Sequence, residues 1–128
     1  MTLAIEVGAH IKLATSAVGR AYIASQEPEE QAKILSVLKE HEGDNWSKVL
    51  PGIETAIESY ERLGYCTSFT EWKNNVNAVA VPYIPKDGSP VIAFNCGGPS
   101  QTLTRDWIEN DVAPRLVELV RRLSTVAP

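Results

Sequence analysis

At Gly64 the chain changes its period, and that break limits the fold more than any other feature of the 128 residues. Before it, Ile53, Ile57, Tyr60 and Leu63 recur at three- and four-residue steps, the spacing of one helix face. After it come short alternating or apolar runs separated by turns: Tyr65 to Phe69, Asn77 to Ile84 and Ser89 to Cys96. Pro85-Lys86-Asp87-Gly88 is a hairpin turn, and Gly97-Gly98-Pro99 closes the last run. Helices first and antiparallel strands second is the order of an α+β domain, with a sheet that packs helices against it.

The flanks fill in this frame. Leu3 to Val7 reads as a further strand closed by Gly8-Ala9, and His10, Lys12 and Thr15 lie in the connection that follows. Ser25-Gln26-Glu27-Pro28-Glu29-Glu30 is a helix start, with a polar cap candidate, proline in the first turn and acids where the helix dipole favours them. Ala32, Leu35 and Leu38, beside Ile34, Val37 and His41, give that segment a helical face, which Gly43-Asp44-Asn45 breaks. Trp46 to Pro51 reads as a connection, with Pro51 opening the next helix. Pro82 cannot donate to a ladder and places its strand at an edge or an irregularity. Thr104 caps a last helix whose stripe is Ile108, Val112, Leu116, Leu119 and Leu123, with Pro114 as a kink or a new start.

Composition excludes several classes. With 12 basic and 16 acidic residues the net charge is −4, which is not the basic face of a nucleic-acid binder. No apolar run approaches membrane-spanning length and nothing resembles a signal peptide, so a cytoplasmic protein is expected. Two cysteines, Cys66 and Cys96, are too few for a disulfide framework, and with His10 and His41 they do not form zinc-ligand spacing. Neither a phosphate-binding loop nor a dinucleotide glycine pattern is present. No metal, cofactor or catalytic residue is therefore expected. Cys96 beside Asn95 and Gly97-Gly98 suggests a nucleophile in a tight loop, but no orienting third group accompanies it.

The stretch Thr15-Ser16-Ala17-Val18-Gly19-Arg20-Ala21 carries the binding chemistry. A helix beginning near Ser16 leaves its first backbone N–H groups without intrahelical partners, at the positive end of the dipole, where a carboxylate or phosphate fits. Equally, Thr15 or Ser16 caps a helix whose small residues pack closely. Ser16, Ser68 and Asn95 are hydrogen-bonding side chains among apolar neighbours at element ends. Such a set suits a concave site for a small organic ligand, or residues that satisfy one another.

Four segments in this order, Thr15 to Ala21, Arg62-Leu63-Gly64-Tyr65, Ala78-Val79-Ala80-Val81-Pro82 and Gly97-Gly98-Pro99, resemble the effector-binding domain of IclR-type bacterial transcription regulators. The match spans nearly the whole chain without obvious gaps. It implies a GAF-like, profilin-like antiparallel sheet with helices packed against it. The implied function is a sensing domain that binds a small carboxylate-type effector and controls DNA binding through a separate winged helix-turn-helix domain. The implied assembly is a homodimer or tetramer. The match begins partway into the family's domain, so residues 1–128 are expected to be one sensing domain that lacks its opening strands and the DNA-binding part.

Carried over residue by residue, the resemblance gives the amides of Ala17 and Val18, beside Ser16, as holders of the carboxylate. Ser68 stands where the family often has an acid, Val76 and Ala78 are apolar wall, and Asn95 and Gly97 line the opposite strand. The chain departs from the family's acidic pair and glycine with Thr70-Glu71 and Asn75, and Arg20 is expected to pair with Glu71 structurally. Two other readings stand beside the sensor: an interaction module of the same fold whose pocket is filled by side chains, and an enzyme that uses Cys96.

Overall fold

The computed structural model describes residues 12–126; the strand read at Leu3 to Val7, and His10, lie outside them. Three helices come first: α1 (Ala17–Ala24), α2 (Pro28–Glu42) and α3 (Trp46–Leu63). Strands β1 (Cys66–Phe69), β2 (Val76–Tyr83) and β3 (Ile92–Pro99) follow, then α4 (Arg105–Trp107), a π-helical turn (Ile108–Val112) and α5 (Ala113–Val126). Among the described residues the sheet is antiparallel in the order β1-β2-β3. The architecture is α+β, as the period change at Gly64 requires. Gly64 itself stands at φ 86°, a left-handed helix end that glycine adopts without strain.

Every residue of β2 is buried, because helices cover both faces of the sheet. One face carries Ala78 and Ala80 against Ala17, Ala21 and Ala24 of α1, with Cys66 and Ala56. Alanines bring α1 close to the strands, which places the start of α1 at the sheet. The other face carries Val79, Val81 and Tyr83 against Ile108, Ala113 and Val120. A third cluster, Ile23, Val49 and Ile53, ties α1 to α3, with Ile34, Leu35 and Leu38 of α2 partly buried beside it. Fully burying one such isoleucine contributes about 1.5–3 kcal/mol.

Several boundaries differ from the sequence reading. The second helix has no side-chain cap: Glu27 precedes Pro28, and Ser25 instead ends α1, its N–H donating to Ala21 O. No residue of α2 is fully buried, and Val37 is 66% exposed, so its stripe is only half used. The segment from Trp46 to Pro51 is helix, not connection; Pro51 sits in the second turn of α3, where its ring gives up one bond to the Ser47 carbonyl. The returning strand starts at Ile92 and continues through the glycines to Pro99, paired with Val76 to Tyr83.

Pro82 is tolerated inside the middle strand for a geometric reason. Thr70 N donates to Val76 O, so the even-numbered residues of β2 direct their polar groups toward β1. The β1 ladder stops at Cys66↔Ala80, so no acceptor awaits the N–H that Pro82 lacks.

The last helix follows the predicted cap: Thr104 Oγ1 accepts from Trp107 N at 3.2 Å. Of its stripe, Ile108 is buried and Val112, Leu116 and Leu123 pack against the same core, while Leu119 is 52% exposed and Ala113 and Val120 join the inward face. The π-helical turn inserts one residue, which brings Ala113 inward beside Val112.

Candidate functional site

Ser16 opens α1 as an N-cap with extended backbone. Its hydroxyl accepts from Gly19 N at 3.0 Å and donates to Lys12 O at 2.7 Å. Both functions of that hydroxyl are thus turned to backbone, and Ser16 is 4% exposed. The amides of Ala17 and Val18 follow the cap, and no described residue accepts from them. Gly19 lies on the backbone of Leu13 with no room for a Cβ, which holds the preceding loop tight against the helix.

Sheet register brings the strand residues together. Ser68 pairs with Ala78 and Ala78 with Gly97; Cys66 pairs with Ala80 and Ala80 with Asn95. Side chains alternate across a strand, so Ser68, Val76, Ala78, Asn95 and Gly97 share the face that α1 covers. Ser68 is 2% exposed and its hydroxyl donates to Thr15 O at 2.6 Å, a direct tie between β1 and the residue before the α1 cap. Helix α1 shelters the β1 and β2 part of this face, while Asn95 and Gly97 on β3 are exposed. The sequence-predicted set is therefore brought to one place: a buried polar floor beside a helix start, open on the β3 side.

A cavity of about 310 Å³ lies on that open side, lined by Leu13, Val18, Gly19, Tyr22, Val91 and Ala93. Only Val18 belongs to the sequence-predicted set. The others are apolar residues with no chemical signature, apart from Tyr22 with its phenolic hydroxyl. Tyr22 stands one turn after Val18, and Ala93 two residues before Asn95 on the same strand face; that spacing is the only signal the sequence held for them.

A larger cavity, about 420 Å³, sits at the far edge of the sheet and includes Arg20, Arg62, Phe69, Glu71, Arg105 and Glu109. Four of its charges are engaged in two pairs. Arg20 pairs with Glu71 as expected, and Arg105 pairs with Glu109 while lying 4.8 Å from the centre of the Phe69 ring. The hydrogen bond from Arg20 holds the Glu71 carboxyl below its ordinary value.

The cysteine chemistry does not converge. Burial pushes the Cys66 thiol up to about 12, against the opposing pull of the Arg20 charge, and its S–H donates to Ala56 O. Cys96 is half-buried on the opposite face of the sheet, and its glycine neighbours belong to β3, not to a tight loop. His41 is exposed on α2. Among the described residues no three His, Cys, Asp or Glu side chains are placed to hold a metal, and no helix is long and apolar enough to cross a membrane.

Residues 1–125 match the family model described as the bacterial transcriptional regulator IclR C-terminal domain. The chain is 41% identical to an IclR family transcriptional regulator from Brucella abortus. It superposes on that crystal structure with a TM-score of 0.93 over all of this chain and 48% of the other. It is 27% identical over 116 residues to the HTH-type transcriptional regulator TsaQ1/TsaQ2 of Comamonas testosteroni, covering 91% of this chain and 42% of that protein. The fold also matches the inducer-binding domain of a PobR double mutant from Acinetobacter, solved as a complex with 3-hydroxybenzoic acid. There the identity is 19% and the TM-score 0.66, over 90% of this chain and 66% of the other. The chain thus spans less than half the length of the two regulators it matches by sequence. The match over residues 1–125 and the shared architecture establish that this chain belongs to the IclR family of bacterial transcriptional regulators, as its C-terminal domain.

Proposed function

We propose that the domain senses a small organic acid and, as part of a homodimer or tetramer in the cytoplasm, controls DNA binding by a separate N-terminal domain. One observation carries the reading. The Ser68 to Thr15 hydrogen bond sets the start of α1, with the Ala17 and Val18 amides, beside the sheet face that bears Ala78, Asn95 and Gly97. The amides supply anion donors, Asn95 an exposed donor and acceptor, and Val76 and Ala78 the apolar wall. The PobR domain, of the same fold, holds an aromatic acid.

A screen of 3-hydroxybenzoate, 2-oxo acids and hydroxy acids by thermal unfolding tests this. An acid that binds only the folded state stabilises it by about 2.7 kcal/mol at a hundred times its dissociation constant. Ala17→Pro keeps a residue tolerated at the first helical position but deletes one amide donor; Asn95→Leu removes the polar contact on β3. Both are expected to abolish the shift without unfolding the domain. Equal shifts in both variants place the ligand elsewhere.

The interaction-module reading draws on a specific observation as well. The hydroxyls of Ser16 and Ser68 already bond backbone groups, so the polar floor is satisfied without a ligand. A screen without a single shift, with the oligomer intact, favours it.

A further inference from the structure

We propose that the cavity at the β1 edge of the sheet binds an α-amino acid with an apolar side chain, at a site separate from the start of α1.

The cavity, of about 420 Å³, is in the size range of small-molecule pockets, and all of its lining residues are described. No further strand can pair across it. On β1, the residues that direct polar groups away from β2 are Tyr65, Thr67 and Phe69, and each of their carbonyls is taken. Ser59 Oγ donates to Tyr65 O at 2.7 Å, Arg20 Nη1 to Thr67 O at 3.0 Å, and Thr70 Oγ1 to Phe69 O at 2.6 Å. Side chains thus close this edge to a strand, and the space beside it suits something smaller.

The lining carries three guanidinium groups, Arg20, Arg62 and Arg105, and three carboxylates, Glu58, Glu71 and Glu109. Arg20 is paired with Glu71 and Arg105 with Glu109, so one charge of each sign is left over. Arg62 and Glu58 stand one turn apart on α3, both exposed. Among the described residues neither has a hydrogen bond or an ion pair, with the other or with a third group.

Another unused group lies deeper. Tyr65 is 9% exposed, yet its hydroxyl bonds no described residue, where a buried tyrosine usually finds a partner. Burial and the Glu109 carboxylate raise the phenol above its ordinary value while the Arg62 charge opposes them. The hydroxyl is therefore a protonated donor in the field of both charges.

Arg62, Glu58 and the Tyr65 hydroxyl together fit a zwitterion. A guanidinium takes a carboxylate through parallel hydrogen bonds, and the phenol has a proton to donate to the same oxygens. Glu58 is the counter-charge for the ammonium. The lining is neutral as a whole, and a ligand with one charge of each sign keeps it so; a plain acid leaves Glu58 unanswered and a plain amine leaves Arg62. Leu63, 47% exposed, and the Phe69 ring supply apolar wall for the ligand's side chain.

Isothermal titration calorimetry on the 128-residue chain tests this with leucine and phenylalanine. The comparisons are isocaproate and hydrocinnamate, which lack the amine, and isopentylamine and phenethylamine, which lack the acid. At least one amino acid is expected to bind about tenfold more tightly than its one-charge analogues. Arg62→Gln and Glu58→Gln are each expected to weaken it about tenfold, and Tyr65→Phe less. Melting temperatures should hardly move, because none of these groups has a partner to lose. Asn95→Leu, directed at the acid site beside α1, is expected to bind the amino acid as the wild type does. The absence of binding by either amino acid overturns the proposal, as do one-charge analogues that bind equally well or binding that Arg62→Gln leaves unchanged. Loss of binding in Asn95→Leu also overturns it, and puts the amino acid at the start of α1.

Discussion

Arg20 on α1 and Glu71 in the β1–β2 loop meet through two parallel hydrogen bonds, of 2.9 and 2.7 Å, although Arg20 is 2% exposed and lies in an alanine-rich layer. The guanidinium also donates to Ala14 O at 3.1 Å and Thr67 O at 3.0 Å. One side chain therefore fastens the loop before α1, the first strand and the following loop, where Thr70 takes a left-handed φ of 58°.

Arg20→Ala leaves two backbone carbonyls and a carboxylate without their donor, and is expected to cost about 3 kcal/mol in denaturant unfolding. Glu71→Gln is milder, about 1 kcal/mol, because the carboxylate is 43% exposed and solvent screens it. Glu71 has a folded value below its ordinary 4.5, so the pair contributes fully above that pH and is lost as the pH falls below it. The acid-side loss of stability is expected to be shallower in Glu71→Gln than in the wild type.

Gly52 of α3 faces this pair. A Cβ there would run into Arg20 Nη2 and lie 2.9 Å from Glu71 Oε2. Gly52→Ala is expected to destabilise by about 1–3 kcal/mol despite alanine's better helix propensity. The cost should largely vanish in an Arg20→Ala background, and additive melting shifts in that double-mutant cycle would contradict the steric account.

Ser68→Ala removes the donor to Thr15 O and leaves a carbonyl unpaired in a buried setting, at a cost of about 1–2 kcal/mol. It also frees the start of α1 from β1. Any acid found in the thermal screen is therefore expected to bind Ser68→Ala more weakly, as its titration will show.

Cys66 is expected to resist alkylation in the folded state and to react at the rate of global unfolding. Its folded value of about 12 lies above the ordinary 9.0, so the native state retains a proton that the unfolded chain releases. Stability is accordingly expected to decline as the pH rises from 9 toward 12, more steeply in the wild type than in Cys66→Ala. Rapid native labelling of Cys66 at neutral pH would show that its layer opens locally.

Local chemistry made much of this molecule legible in the sequence. The period change at Gly64, the caps at Ser16 and Thr104 and the turn at Asp87-Gly88 act over a few residues, so they survive without tertiary context. The ordered motifs carried the family and hence the α+β sheet. What needed the fold was everything set by distance across the sheet. Register alone places Ser68, Ala78 and Gly97 in one row, and the packing of α1 decides which polar groups are spent on backbone. The π-helical turn adds Ala113 and Val120 to the inward face of the last helix, which regular spacing from Ile108 does not foresee. Finally, nothing in the sequence around β1 shows that its outer carbonyls are already taken: Arg20 and Ser59, remote in the chain, donate to Thr67 O and Tyr65 O.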